Sequence, residues 1–192
     1  NKKASNIEII DVSGQTSLGD YFVIASCQST VQVRACIDEV EEQLEKEGII
    51  SKKVEKSDNS LEILSGAVFK TECYKKGYFH AQDIASQTCI ENFAPQKNDV
   101  VFDMCAAPGG KSFTMAQLME NQGKIYSFDL YDHKIKLIND GAKRLGINII
   151  NAQIGDASIY NPDLPKADKI LCDVPCAGLG VIRRKPEIKY KD

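Results

Sequence analysis

The chain has 192 residues, 43% of them hydrophobic and 27% charged, with a formal net charge of −3. That composition is ordinary for a soluble globular protein and suffices for one good core or two small domains. It excludes a helical membrane protein, because no apolar run reaches spanning length, and no signal-peptide pattern is present.

In chain order, residues 6–12 (NIEIIDV) and 20–26 (DYFVIAS) are rich in β-branched and aromatic side chains and read as strands. Ser29 opens a helix, with Gln32 three residues on as in a capping box. Val33, Ile37, Val40 and Leu44 form its apolar stripe, and Gly48 stops it. Residues 51–60 (SKKVEKSDNS) are polar and aperiodic, which predicts a linker and a domain boundary. LEIL and AVFK read as short strands around Ser65-Gly66, and His80 to Phe93 as a helix ending before Pro95. From Asp99 the pattern becomes regular β-α-β alternation. VVFDMCA, KIYSFDL, Ile149 to Ile154 and KILCDV read as strands, with helices over Lys111 to Asn121 and Tyr131 to Leu145. Alternation of this kind predicts a parallel sheet covered by helices, an α/β fold. The expected domains are therefore 1–50, a pre-catalytic linker region at 51–94, and 95–192.

The loop Cys105 to Lys111 (CAAPGGK) joins a buried strand to a helix, where a doubly wound sheet places its ligand. Ala106 and Ala107 are small, Pro108 stiffens the turn, and Gly109 and Gly110 allow close backbone approach. A phosphate-binding P-loop needs glycine where Cys105 stands, and the dinucleotide GxGxxG pattern also fails. Three acids follow at strand ends: Asp129, Asp156 and Asp173. Asp129 can accept hydrogen bonds from both hydroxyls of a ribose, and Asp156 can reach an adenine amino group. This acid-rich rim would repel a polyphosphate and suits a nucleoside such as S-adenosylmethionine, whose sulfonium and amino groups are cationic.

FDMCAAPGGKS, SFDL, GDA, LCDVPCAGLGVIRRKPEIKY and the earlier GYFHAQDIASQ resemble the bacterial small-subunit (16S) rRNA cytosine-5 methyltransferases over about residues 55–192. The resemblance implies a Rossmann-like sheet, S-adenosylmethionine held by Cys105 to Lys111, Asp129, Asp156 and Asp173, and rRNA as substrate. Cytosine C5 is a poor nucleophile, so this chemistry needs a cysteine thiolate to add at C6 and an acid near N3. Asp173 is placed to supply the acid. By chemistry alone Cys176 is the candidate nucleophile. The resemblance instead makes Cys176 a helper in product release and puts the attacking cysteine in a Thr-Cys pair beyond Asp192. Thr88-Cys89 precedes the cofactor loop, on an expected helix, and reads as chance. The sheet is accordingly expected to be truncated, with both ends of the chain cut, and inactive on its own. Cys27, Cys36, Cys73, Cys89 and Cys172 read as inert buried thiols in a reducing cytoplasm. The seven cysteines contain no CxxC pair, which argues against a zinc site. The last twelve residues hold five basic groups against two acidic ones, and Arg183, Arg184 and Lys185 are the candidate RNA phosphate contacts.

Residues 1–49 carry nine acidic groups against four basic ones, a balance that does not attract nucleic acid. Asp20 to Ile24 and Gln32 to Ala35 resemble the first half of the ribosome-silencing factor family, which acts on the large ribosomal subunit. The alternative function is thus a ribosome-binding module without catalysis. Half of such a domain would leave a sheet edge and an apolar helix face uncovered.

Overall fold

The computed structural model describes residues 5–11, 21–26, 30–54 and 60–174. Cys176, Arg183, Arg184 and Lys185 lie outside the described residues. The N-terminal part is an antiparallel sheet. It comprises β1 (Ser5–Asp11), β2 (Tyr21–Ser26), β3 (Ile50–Lys53) and β4 (Ser60–Ser65), in the order β1-β2-β4-β3. Helix α1 (Thr30–Lys46) connects β2 to β3, and Gly48 ends the turn after it at φ +78°.

This arrangement corrects two expectations. The polar stretch from residue 51 begins as a strand, because Ser51, Lys52 and Lys53 pair with Ile63, Glu62 and Leu61. The sheet also crosses the expected boundary at residue 50, since β4 pairs with β2 as well as with β3. The helix face is consequently covered rather than open. Ile37, Val40 and Leu44 are buried with Ile49, Leu61, Ile63, Val68, Cys73 and Phe79 in a single cluster. Apolar burial of this kind stabilises by roughly 25 cal/mol per Å². AVFK is not a strand either: Val68–Lys70 forms a 3-10 turn. Gly66, at φ +113° and packed on Ile49, turns the chain out of the sheet. Thr71 then holds the next short helix, α2 (Glu72–Lys75), by accepting from the Tyr74 N–H at 3.2 Å.

Helix α3 (Ile84–Phe93) starts later than expected because Asp83 caps it, accepting from the Ala85 N–H at 2.8 Å. His80 and Gln82 therefore lie in the approach to the helix, buried. The second sheet is wholly parallel, as the alternation predicts. It comprises β5 (Val100–Asp103), β6 (Lys124–Asp129), β7 (Ile150–Ile154) and β8 (Lys169–Leu171), in the order β7-β6-β5-β8. Helices α4 (Gly110–Leu118) and α5 (Asp132–Leu145) follow β5 and β6. Ile90 joins Val101, Met115, Ala116, Met119, Ile125 and Leu171 in one core, and Phe113, Ile135, Ile138 and Ala142 build another with Ala106. Strand order reverses beside β5: β6 and β7 lie on one side and β8 on the other. Ligands of open α/β sheets bind at the carboxyl ends of the strands at such a reversal.

The N-terminal part meets the parallel sheet at Arg144, near the end of α5. Its guanidinium donates to the Tyr74 carbonyl at 2.9 Å and the Phe79 carbonyl at 2.8 Å, and sits 3.9 Å from the Tyr74 ring centroid. Gly77, at φ +74°, lies directly on the Arg144 backbone; an added Cβ would stand 1.7 Å from its carbonyl oxygen. Among the described residues, no helix is long and apolar enough to cross a membrane.

Candidate cofactor cleft

Each strand of the parallel sheet delivers a carboxylate at or just beyond its carboxyl end: Asp103 on β5, Asp129 on β6, Asp156 after β7 and Asp173 after β8. A cleft of about 640 Å³ opens there. Of the sequence-predicted residues, Cys105, Ala107, Asp129, Asp156 and Asp173 line it, joined by Lys134 and Gly155. Its volume lies in the range of small-molecule and cofactor sites.

The rest of the predicted loop supports the cleft without lining it. Ala106 is buried, and its N–H donates to the Phe128 carbonyl at 2.8 Å. The Gly109 N–H donates back to the Ala106 carbonyl at 2.7 Å, which closes a tight turn. Gly109 has φ +112°, and a Cβ there would stand 2.4 Å from the Phe113 ring. The second glycine, Gly110, begins α4 and, with Pro108, lines a separate cavity beside His80 and Phe113. Lys111 reaches across from the first turn of α4 to Asp173, with an N–O distance of 2.7 Å.

Asp129 is buried, accepting the Leu130 N–H at 2.8 Å and the Ala107 N–H at 3.3 Å. Lys134 pairs with it at 3.1 Å from the first turn of α5. These contacts fix the carboxylate at the cleft wall, where it can still accept from a diol. Asp156 is exposed. The Ser158 hydroxyl and N–H donate to it at 2.7 and 2.8 Å and hold its carboxyl below the usual range. Burial, and then the charges of Asp129 and Asp103, push the Cys105 thiol up, which opposes a reactive thiolate at that position.

Sequence reasoning missed Asp103. It ends VVFD as Asp129 ends KIYSFD, so the same strand-end rule could have found it. It is fully buried, and the Ser112 hydroxyl donates to Oδ2 at 2.7 Å. Burial pushes its carboxyl up to about 6, against the opposing effects of Ser112 and Lys111. Lys134 was missed as well; its place one helical turn beyond the Asp129 strand end was the available signal. The expectation for the other thiols holds in part. Cys73 is buried, whereas Cys89 and Cys172 are exposed. Thr88 and Cys89 sit on α3, and Cys89 does not line the cleft. No group of three or more metal-binding side chains occurs among the described residues.

The donor set fits a nucleoside with a cationic tail. Carboxylates at the β6 and β7 ends and a small-residue loop suit ribose and adenine, and the further acid at the β8 end, Asp173, suits positive charge.

Comparison with known proteins agrees with this geometry. The model of the 16S rRNA methyltransferase RsmB/F family matches residues 90–192. That of Ribosomal silencing factor during starvation matches residues 1–97. The second match runs well past the residue 49 expected from sequence, in keeping with the continuous antiparallel sheet. The chain is 40% identical over 161 residues to the probable ribosomal RNA small subunit methyltransferase B of Bacillus subtilis, covering 83% of this chain and 36% of that protein. It is 41% identical over 111 residues to a tRNA (cytosine(72)-C(5))-methyltransferase of Pyrococcus horikoshii, covering 57% and 28%. The crystal structure of NSun6 from Pyrococcus horikoshii with SFG superimposes with a TM-score of 0.57 at 35% identity, covering 66% of this chain and 34% of that one. The chain thus spans about a third of the length of the relatives it matches. Through residues 90–192 the chain belongs to the 16S rRNA methyltransferase RsmB/F family, and through residues 1–97 to the family of Ribosomal silencing factor during starvation.

Proposed function

We propose that this chain supplies the S-adenosylmethionine-binding part of an RNA (cytosine-5)-methyltransferase acting on small-subunit rRNA in the cytoplasm. The observation that carries the reading is the cleft itself. Asp129 of β6, Asp156 after β7, Asp173 after β8, and Cys105 and Ala107 of the CAAPGGK loop surround one volume at the strand-order reversal. The relative and the solved structure support it, one by its cytosine-C5 name and the other by SFG, an S-adenosylmethionine analogue.

When bound, the cofactor supplies an electrophilic methyl group. The chain's own residues do the rest. Asp129 accepts from the ribose hydroxyls, and Asp156 faces the base. The loop from Cys105 to Lys111 gives backbone close approach, and its helix end is held by Phe113. Through their 2.7 Å pair, Lys111 orients Asp173 at the mouth, where its carboxyl group can meet N3 of a cytosine. Cys176 assists product release, and Arg183, Arg184 and Lys185 hold phosphates; these roles rest on the family resemblance. S-adenosylhomocysteine binding by calorimetry tests the reading. Saturable binding by the 192-residue chain is expected. Unchanged affinity in Asp129→Ala would overturn the assignment.

A second reading, large-subunit binding by the N-terminal part, is favoured by the closed core beneath α1. Co-sedimentation with purified large ribosomal subunits tests it, and recovery of the chain free of the subunits would remove it.

A further inference from the structure

Asp103 is the buried acid that the roles above do not use. It sits at the end of the central strand β5, with no exposed surface. Oδ2 accepts from the Ser112 hydroxyl at 2.7 Å, and that hydroxyl lies 2.7 Å from the hydroxyl of Ser127, also buried. Oδ1 makes no hydrogen bond of ordinary geometry among the described residues, and the Cys105 backbone N–H faces the carboxylate and favours its charge. A buried carboxylate with half its bonding capacity unmet costs free energy, so its retention calls for a compensating use.

Its neighbours indicate that use. Lys111 and Ser112 are consecutive in the first turn of α4, directly after the cofactor loop. Ser112 ties that turn to Asp103, and Lys111 ties it to Asp173 across the cleft mouth. Lys111 also faces Asp103 by charge, and Asp173 opposes it. The groups around Asp103 are therefore Cys105 on the loop, Lys111 and Ser112 on α4, Ser127 on β6, and Asp173 after β8. The Lys111 cation lies at a helix N-terminus, where it is disfavoured unless carboxylates offset it.

We propose that Asp103 is a positioning residue whose charge holds the first turn of α4 and the Lys111–Asp173 pair in place, so that protonating it loosens the cofactor cleft. The inference rests on the cofactor reading. It makes affinity for the cofactor fall on mild acidification, in the range where Asp103 gains its proton, near 6.

The test is calorimetric titration of the full chain with S-adenosylhomocysteine between pH 5.5 and 7.5. The wild type is expected to bind at least about threefold more weakly at pH 5.5 than at pH 7.5, roughly 0.7 kcal/mol. Asp103→Asn is expected to bind weakly at both, with a ratio near one. The variant leaves His80 and His133 in place, so a pH effect carried by histidine would survive it. Ser112→Ala removes a bond that favours the charged carboxylate, and should move the midpoint to higher pH. An Asp103→Asn protein that keeps the wild-type ratio overturns the inference. Should that variant fail to fold, an unchanged midpoint in Ser112→Ala overturns it instead. Wild-type binding without pH dependence removes the inference alone, and no binding at any pH removes the cofactor reading with it.

Discussion

In the antiparallel sheet, Leu61 and Ile63 of β4 pack beside Leu44 and Phe79 in an apolar core. Glu62, also on β4 and buried, meets the Lys52 ammonium of the neighbouring strand at 3.0 Å. In the parallel sheet, Asp103, Ser112, Ser127 and Asp129 are buried together, all at the carboxyl end of the strands or in the first turn of the helix above them. Val101, Met115 and Ile125 nearby pack as an ordinary core. The difference separates scaffold from site. Glu62 also leaves its Oε1 without a hydrogen bond, so what sets the parallel sheet apart is that its buried polar groups gather at one end, beside the cleft, instead of standing dispersed over the sheet.

The comparison can be broken at several points. The largest effects are expected in the scaffold. Phe79→Ala should cost about 3–5 kcal/mol in denaturant unfolding, because it empties the middle of a fully buried cluster. Gly77→Ala should cost about 3 kcal/mol or more, since its Cβ meets the Arg144 carbonyl and its backbone is left-handed. A near-neutral Gly77→Ala would show that the two sheets are not packed through this contact.

At the site, Asp129→Ala should weaken S-adenosylhomocysteine binding on the order of 100-fold, the loss of two charge-assisted hydrogen bonds. It should lower stability by less than Phe79→Ala does, as melting temperatures would show. Asp103 has the opposite sign for stability. Its carboxyl is raised in the folded state, from 3.8 to about 6, so its favourable contribution is complete below the unfolded value and lost as pH rises through about 6. Asp103→Asn should therefore stabilise the protein by about 1–3 kcal/mol at pH 7.5 and change little near pH 4. Equal effects at both pH values would show that the buried charge is not what the fold carries there. The smallest effect belongs to the exposed Lys97–Glu120 pair, 2.8 Å apart. Lys97→Ala should change stability by under about 0.5 kcal/mol.

Much of this was legible in the sequence. The alternation after Asp99 gave the parallel sheet, since each strand and helix carries its own period. Asp129, Asp156 and Asp173 were readable because an acid directly after an apolar run has nowhere else to go than a strand's carboxyl end. The loop was readable as a candidate ligand loop, but the division of facing within it was not. Cys105 and Ala107 line the cleft, Ala106 is turned into the core, and Pro108 and Gly110 face another cavity. Alternation of facing along an irregular loop has no periodicity to read.

The linear pattern thus determined the element types of the C-terminal half and the chemical class of its site, because local periodicity and strand-end acids are properties of neighbours in sequence. Only the tertiary structure decided that the polar run from residue 51 pairs as a strand, and that β4 closes the sheet begun by β1 and β2. Long-range pairing leaves no local mark, since backbone hydrogen bonds to a distant strand can be made by almost any side chain. It also decided that Asp103 is a buried, half-bonded acid beside Lys111 and Asp173, because burial and unmet hydrogen bonds are set by what the rest of the chain brings to a residue.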